Sequence, residues 1–410
     1  MPDIQPFRGL RYRVPDAELS KVLAPPYDVI TPAYQDELYA RDPRNIVRVV
    51  LSRTPGDAAY DEAGATFRGW VAAGLLAPDA EPALYLVEQA FDVDGRAHKR
   101  YGVLARFRVE DNARGRVLPH EHTRKAAKED RYKLLKATRA NFSPIFLMFS
   151  DGQGKFSKQA EAAAAAPPDF QYTDDGGVAH RVWRIRDGAA VSALQSAIGS
   201  AKAYIADGHH RWATAQRYHQ EVGPEAAWTL GYFTPMEAPG LVVLPYHRLL
   251  DRGPSLEDAR RVLGGAFKLS DVRGASAAAR AAAESTAPYA FGLVDPSGAG
   301  LVAQARPEAG DLLPADTPPS LRALDTFFLH QAVLTRLLNV PEDAVRYAHS
   351  LREVEEELKA GKCKLAVVMR PTPVAQIVAV ADARESMPAK STFFHPKLPS
   401  GLVVHPLHGG

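Results

Sequence analysis

A mixed α/β (α+β) fold is expected for this chain, and three features carry that expectation. An Asp94-Gly95 pair interrupts the β-rich run ALYLVEQAFDVDGRAHKRYGVLARFRVED at 83–111, the pattern of two strands around a tight turn. Helix-forming stretches are followed by short apolar ones, as where KEDRYKLLKATRAN (128–141) precedes SPIFLMFS (143–150). The strand-like KAYIA (202–206) runs through Asp207-Gly208 straight into a second helical stretch.

Taken in order, residues 1–56 are rich in proline and arginine, and Pro25, Pro26 and Pro32 in LAPPYDVITP forbid a long helix there. A helix is predicted over 57–76, ended near Gly74 and Pro78, and the hairpin of 83–111 follows. After the helix at 128–141 and the buried strand at 143–150, Gly152 and Gly154 open a polar, Ala-rich insert. Its EAAAAAPPD (161–169) reads as a short surface helix stopped by Pro167 and Pro168. A strand (181–185), a helix (188–200) and the strand at 202–206 complete the middle of the chain. A Pro/Gly-rich link spans Pro235–Gly240. Beyond it come helices at 255–264 and 274–287, strands near 289–294 and 301–305, and a Pro-rich loop at 314–319. An amphipathic helix (321–338), a strand (364–370) and a strand or short helix (374–382) follow. These elements suggest three regions: 1–110, an N-terminal α/β region with the hairpin; 111–236, a core with the Ala-rich insert at 151–180; and 237–410, a C-terminal α/β domain.

Composition narrows the function classes. At 410 residues, two or three domains are the prior, and 46% hydrophobic with 24% charged residues is an ordinary globular balance. Lys and Arg number 50 against 48 Asp and Glu, a net of +2, which argues against a broad nucleic-acid surface. Cys363 is the only cysteine, so an intrachain disulfide is impossible and a reducing compartment fits. The N-terminus lacks a basic stretch followed by an apolar one, and no apolar run approaches the roughly 20 residues that span a bilayer. A cytoplasmic protein with no membrane or nucleic-acid partner is expected; no oligomeric state follows from the sequence.

Three stretches carry chemistry. In YIADGHHRW (204–212) a strand passes through Asp207 and Gly208 to a helix start. The first N–H groups of a helix lack internal partners and lie at the positive end of its dipole, which suits an anion, phosphate above all. Gly208 allows close approach, Arg211 offers a bidentate contact, and His209 and His210 can donate hydrogen bonds or carry charge. The blander alternative makes Asp207 a plain N-cap; Trp212, Ala215 and Tyr218 form only a core-facing stripe.

In VLPHEHTRKAAKEDR (117–131), Glu121 lies between His120 and His122, and a carboxylate flanked by imidazoles can act as general base on a hydroxyl. Two other readings stay open: a metal held by His120 and His122 with His209 or His210, or a charged helix entry with Thr123 near the N-cap. The third stretch, KSTFFHPKLPSGLVVHPL (390–407), brings Lys390, His395 and Lys397, basic groups that the fold could bring to a phosphate pocket; Asp28 in PPYD has similar standing.

APPYDVI, PHEHT, KEDR with LLKATRANFSPIF, YIADGHHRW, RPTPVAQI and KSTFFHPKLPSGLV together resemble, in order and along nearly the whole chain, the domain-of-unknown-function family 1015. Its middle portion resembles a wider group: the ParB N-terminal fold, sulfiredoxin and the free serine kinases. That likeness implies a ParB/sulfiredoxin-like core with added N-terminal and C-terminal α/β regions. It implies phosphate binding by Asp207, Gly208, His209, His210 and Arg211, and catalysis by Glu121 as base with His120, since Pro119-His120-Glu121 matches the kinases' tripeptide. His122, Thr123, Asp28 and Lys397 would support the site. The activity implied is nucleotide-dependent phosphoryl transfer to a small hydroxyl compound, free serine first, with ATP or ADP (or CTP) and Mg²⁺. Its competitors are a ParB-like nucleotide switch without acceptor chemistry and a hydrolase or phosphatase built on His120, His122 and His209. The long stretch at 151–201 and the flanking regions depart from the small kinases.

Overall fold

Strands Leu84–Val93 and Arg96–Arg108 pair across the predicted turn, with φ of +52° at Asp94 and +75° at Gly95, the left-handed pair a two-residue hairpin loop needs. The computed structural model describes residues 2–111 and 115–407. The chain divides into two units. One comprises the residues up to Pro119, Thr123–Val242 and those from Pro396 onward; the other comprises His120–His122 and Val243–His395.

The hairpin is the middle of the first unit's nine-stranded sheet. Its order is Val117–Leu118, Ala203–Asp207, Ile145–Phe149, Trp228–Pro235, Arg96–Arg108, Leu84–Val93, Ala179–Ile185 and Phe170–Thr173, with Ile4–Gln5 also on Arg96–Arg108. Ile145–Phe149 runs parallel to Trp228–Pro235 and antiparallel to Ala203–Asp207. Alternate residues of these strands, among them Leu84, Leu86, Val103, Ala105, Phe107, Ile145, Leu147 and Ile205, build one core with Phe156, Leu194, Ile198 and Trp212 from helices Lys155–Ala164, Gly188–Gly199 and His209–Val222. The opposite-facing residues are buried too: Arg100 is 1% exposed, bonds Gln89 Oε1 at 3.0 Å and the Pro396 carbonyl, and lies over the Phe146 ring. Burial on both faces explains the near-continuous apolar runs.

The expected boundary near 110 is therefore absent. Strands from 84–108 and from 145–235 share one sheet within the first unit. The C-terminal stretch also leaves the expected third region. His405–Pro406 pairs with Ala140–Asn141, Val404 with Leu10 and Ser400 with Ala24, all within the first unit.

The second unit is a six-stranded antiparallel sheet in the order Phe267–Arg273, Ala299–Ala305, Ala290–Val294, Leu365–Met369, His247–Leu250, Val345–Ala348. Period-two alternation splits its residues between two cores: Leu250, Leu365 and Val367 on one face, Leu249, Ala366 and Val368 on the other. The Ala-rich helix Ala275–Ala283 lies close on the second face, where a Cβ at Gly292 would come within 2.7 Å of the Ala278 Cβ. The expected helix at 321–338 forms in pieces: Pro319–Arg322, Asp325–Phe328, then a wider-turned π-helix over Leu329–Leu337. Strands 247–250, 267–273 and 345–348 carry weak local signals and were not expected.

Three buried histidines set an acid limit. Burial lowers His405 to about 3 in the first unit, and His247 to about 4 and His330 to about 3 in the second. A base whose folded pKa is depressed contributes full stability above its unfolded value near 6.5 and loses it as pH falls toward the folded value. Between about pH 7.5 and pH 5.5 each such histidine should remove about 1.4 kcal/mol. The four tryptophans, Trp70, Trp183, Trp212 and Trp228, all lie in the first unit, so urea unfolding followed by their fluorescence should show the loss from His405. A transition unmoved by pH would contradict a neutral, buried His405.

Candidate functional site

The apolar strand Ala203–Asp207 ends in an irregularity: Ile205 pairs with Leu147 and Asp207 with Phe146, so Ala206 is the extra residue of a bulge. A bulge re-aims the side chains that follow it. Gly208 comes next at φ +97°, a conformation favouring glycine, and an added Cβ would meet the Arg211 guanidinium at 3.1 Å. The helix His209–Val222 starts there, 14 residues long, with Gly208, which has no side chain, at its N-cap position and no acidic residue in its first turn.

Asp207 is not that helix's N-cap. Its carboxylate faces two cations, Arg211 Nη2 at 2.5 Å and Lys397 Nζ at 2.7 Å. Lys397 is 7% exposed in its side chain and also meets Asp28 at 2.5 Å. One ammonium thus bridges carboxylates at positions 28 and 207. Arg211 also donates to the Pro144 carbonyl, at the start of the strand Ile145–Phe149. The expected supporting pair Asp28 and Lys397 and the turn 207–211 therefore meet within the first unit.

His209 is buried at 7% exposure, and Trp212 stacks on Phe107 at 5.5 Å. His210 is held as an acceptor. Its Nε2 accepts from the Arg124 N–H at 3.0 Å, and burial lowers its pKa against the opposing pull of Asp28 and Asp207. It is thus a neutral acceptor. Thr123 is not the cap of the following helix: Lys125–Thr138 begins after Arg124, which has extended backbone and makes no side-chain cap.

Behind the turn lies a cavity of about 60 Å³. Arg211, Arg131, Tyr27, Ser143 and Thr214 line it with apolar Leu134 and Ile145. The Arg131 guanidinium lies 3.9 Å from the centre of the Tyr27 ring, and burial raises the Tyr27 phenol. Ser143 Oγ lies 2.6 Å from Ser400 Oγ, so the C-terminal stretch reaches this wall as well. Tyr27, Arg131 and Ser143 were not singled out in the sequence, although each lies in a quoted stretch: PPYD, KEDR and NFSPI.

His120, Glu121 and His122 belong to the second unit. There Glu121 bridges in parallel to Met387, and the Met387 N–H donates to the His120 carbonyl at 2.8 Å. The His120 ring is fully buried, with Nε2 3.3 Å from Thr392 Oγ1. Such a ring suits holding the loop better than meeting a substrate. Among the described residues no group of three or more His, Cys, Asp or Glu side chains is placed to hold a metal ion, and no helix is long and apolar enough to cross a membrane. Cys363 is buried, which pushes its thiol up to about 11.

No curated protein matches this sequence. Among solved structures, the chain is similar to a free serine kinase mutant in complex with AMP, at 13% identity and a TM-score of 0.36, covering 70% of this chain and 89% of that one. A conserved hypothetical protein from Pyrococcus furiosus gives 13% identity, 71% and 92% coverage and a TM-score of 0.36. SbnI with a C-terminal truncation, from Staphylococcus aureus, gives 11%, 74% and 87%, and 0.36. The family model described as Protein of unknown function (DUF1015) matches residues 4–327, more than half of the chain, and the protein belongs to that family.

Proposed function

We propose that the protein is a nucleotide-dependent phosphotransferase acting on a small hydroxyl compound, with free serine the first acceptor to test and ATP or ADP (CTP after them) the nucleotide. The observation that carries the reading is the turn at 207–211: the start of a 14-residue helix, a glycine at φ +97°, and two cations, Lys397 and Arg211, on Asp207. Phosphoryl transfer asks for positioning and charge neutralisation more than covalent chemistry. Helix-end amides and these cations supply both.

Glu121 is assigned the hydroxyl proton as general base, on the Pro119-His120-Glu121 tripeptide in which the chain resembles the free serine kinases. His120 is assigned the holding of that loop. Mg²⁺ usually takes one or two carboxylates and leaves the rest of its shell to water and phosphate. Asp28 and Asp207 are the carboxylates at the turn, and with Lys397 bridging them they do not fit a metal, so no step is assigned to one. A nucleotide switch would keep the turn and do without Glu121.

Arg211→Ala tests the turn. A hydrogen bond to a charged group contributes about 1.5–3 kcal/mol, so ADP affinity measured by calorimetry should fall roughly 10- to 150-fold. Unchanged affinity in a folded variant would remove Arg211 from the site.

A further inference from the structure

The cavity behind the turn has a chemistry of its own. Its lining holds two guanidinium groups, from Arg131 and Arg211, and no carboxylate. Arg131 is 9% exposed and the Arg211 side chain 16%. Their acidic partners, Asp130 and Asp207, are not part of the lining. A guanidinium has five N–H donors. Asp130 and the Val50 carbonyl take three of them from Arg131, through Nε, Nη2 and Nη1, while Asp207 and the Pro144 carbonyl take two from Arg211. Donors therefore remain on both groups. The Ser143 and Thr214 hydroxyls add neutral hydrogen-bonding groups on the same wall.

Size selects among anions. A water needs roughly 10–15 Å³ of such space, so about 60 Å³ holds a group of about four to six heavy atoms. A nucleotide is far too large, whereas the carboxylate end of a small acid fits. A planar fork matches a carboxylate's two oxygens, and the apolar Leu134 and Ile145 suit a short carbon stem.

We propose that this cavity holds the carboxylate of a small hydroxy or amino acid, through Arg131 and Arg211. The inference takes its acceptor from the reading above and narrows it: the hydroxyl compound carries a carboxylate.

The test is calorimetry on the full chain without nucleotide, using L-serine, D-glycerate, ethanolamine and inorganic phosphate as probes. Serine and glycerate should bind, and ethanolamine, which lacks the carboxylate, should not. Arg131→Lys keeps the charge but loses the fork and should weaken serine about ten- to a hundredfold, the range of one or two charge-assisted bonds. Thr214→Leu keeps both guanidiniums and fills the space, and should abolish serine binding in a protein whose melting temperature is retained. The proposal is overturned if ethanolamine binds as serine does, if phosphate alone binds, if the wild type binds neither acid, or if folded Arg131→Lys and Thr214→Leu both bind serine normally. Serine bound in the cavity but never phosphorylated would leave the cavity assignment standing and remove the transfer reading. Ethanolamine phosphorylated as fast as serine would do the reverse.

Discussion

Glu121→Gln should leave ADP affinity within about threefold, about 0.65 kcal/mol, while serine phosphorylation falls by roughly 10²–10⁴, the usual contribution of a general base. Glutamine keeps the size and shape of the side chain but cannot accept the proton. Mass spectrometry of serine phosphorylation, in wild type and variant at matched nucleotide saturation, reads the effect. A structural role for Glu121 would instead lower nucleotide binding and melting temperature together. A switch would leave binding intact with no phosphoserine from either protein. Equal turnover in both would remove Glu121 as the base.

Lys397→Met should cost the first unit about 3 kcal/mol. Lys397 is nearly buried and bridges Asp28 and Asp207, so its removal leaves two carboxylates facing each other with one cation, Arg211, between Asp207 and the Pro144 carbonyl. Breaking a buried ion pair from one side typically costs about 3–5 kcal/mol, and the 29% and 20% exposure of the carboxylates places this one at the lower end. Urea unfolding by tryptophan fluorescence measures the loss. Asp28→Asn in the Lys397→Met background should recover part of it, which the double-mutant cycle quantifies. A loss below about 1 kcal/mol with no coupling would mean that solvent screens the bridge as it does surface pairs.

The helix start at 209 and the hairpin at 94–95 were legible because their causes are local. Asp94-Gly95 needs left-handed backbone, and Gly208 does as well; both demands act over a few residues and leave a mark in composition. The helices at 125–138 and 188–199 were legible for the same reason. Strand Phe267–Arg273, with the sequence FKLSDVR, was not: its residues are mostly exposed, and its place comes from pairing with Ala299–Ala305. The charge state of His210 was equally out of reach. Isolated, it is a group poised to protonate; here burial and the Arg124 N–H, 86 residues away in the chain, make it a neutral acceptor.

By itself, then, the sequence determined the mixed α/β class, the strand–Asp-Gly–helix turn and the residue types that a phosphate site requires. Periodicity, glycine and proline act within a turn or two of chain, so their consequences can be read in place. Tertiary structure alone decided that Asp28, Asp207 and Lys397 meet, that Arg131 and Arg211 line one cavity, and that the last residues leave the C-terminal region to pair with strands near residues 10, 24 and 140. Lys397 and Asp28 are 369 positions apart. No local rule links them: their contact arises only when the two stretches fold together within the first unit.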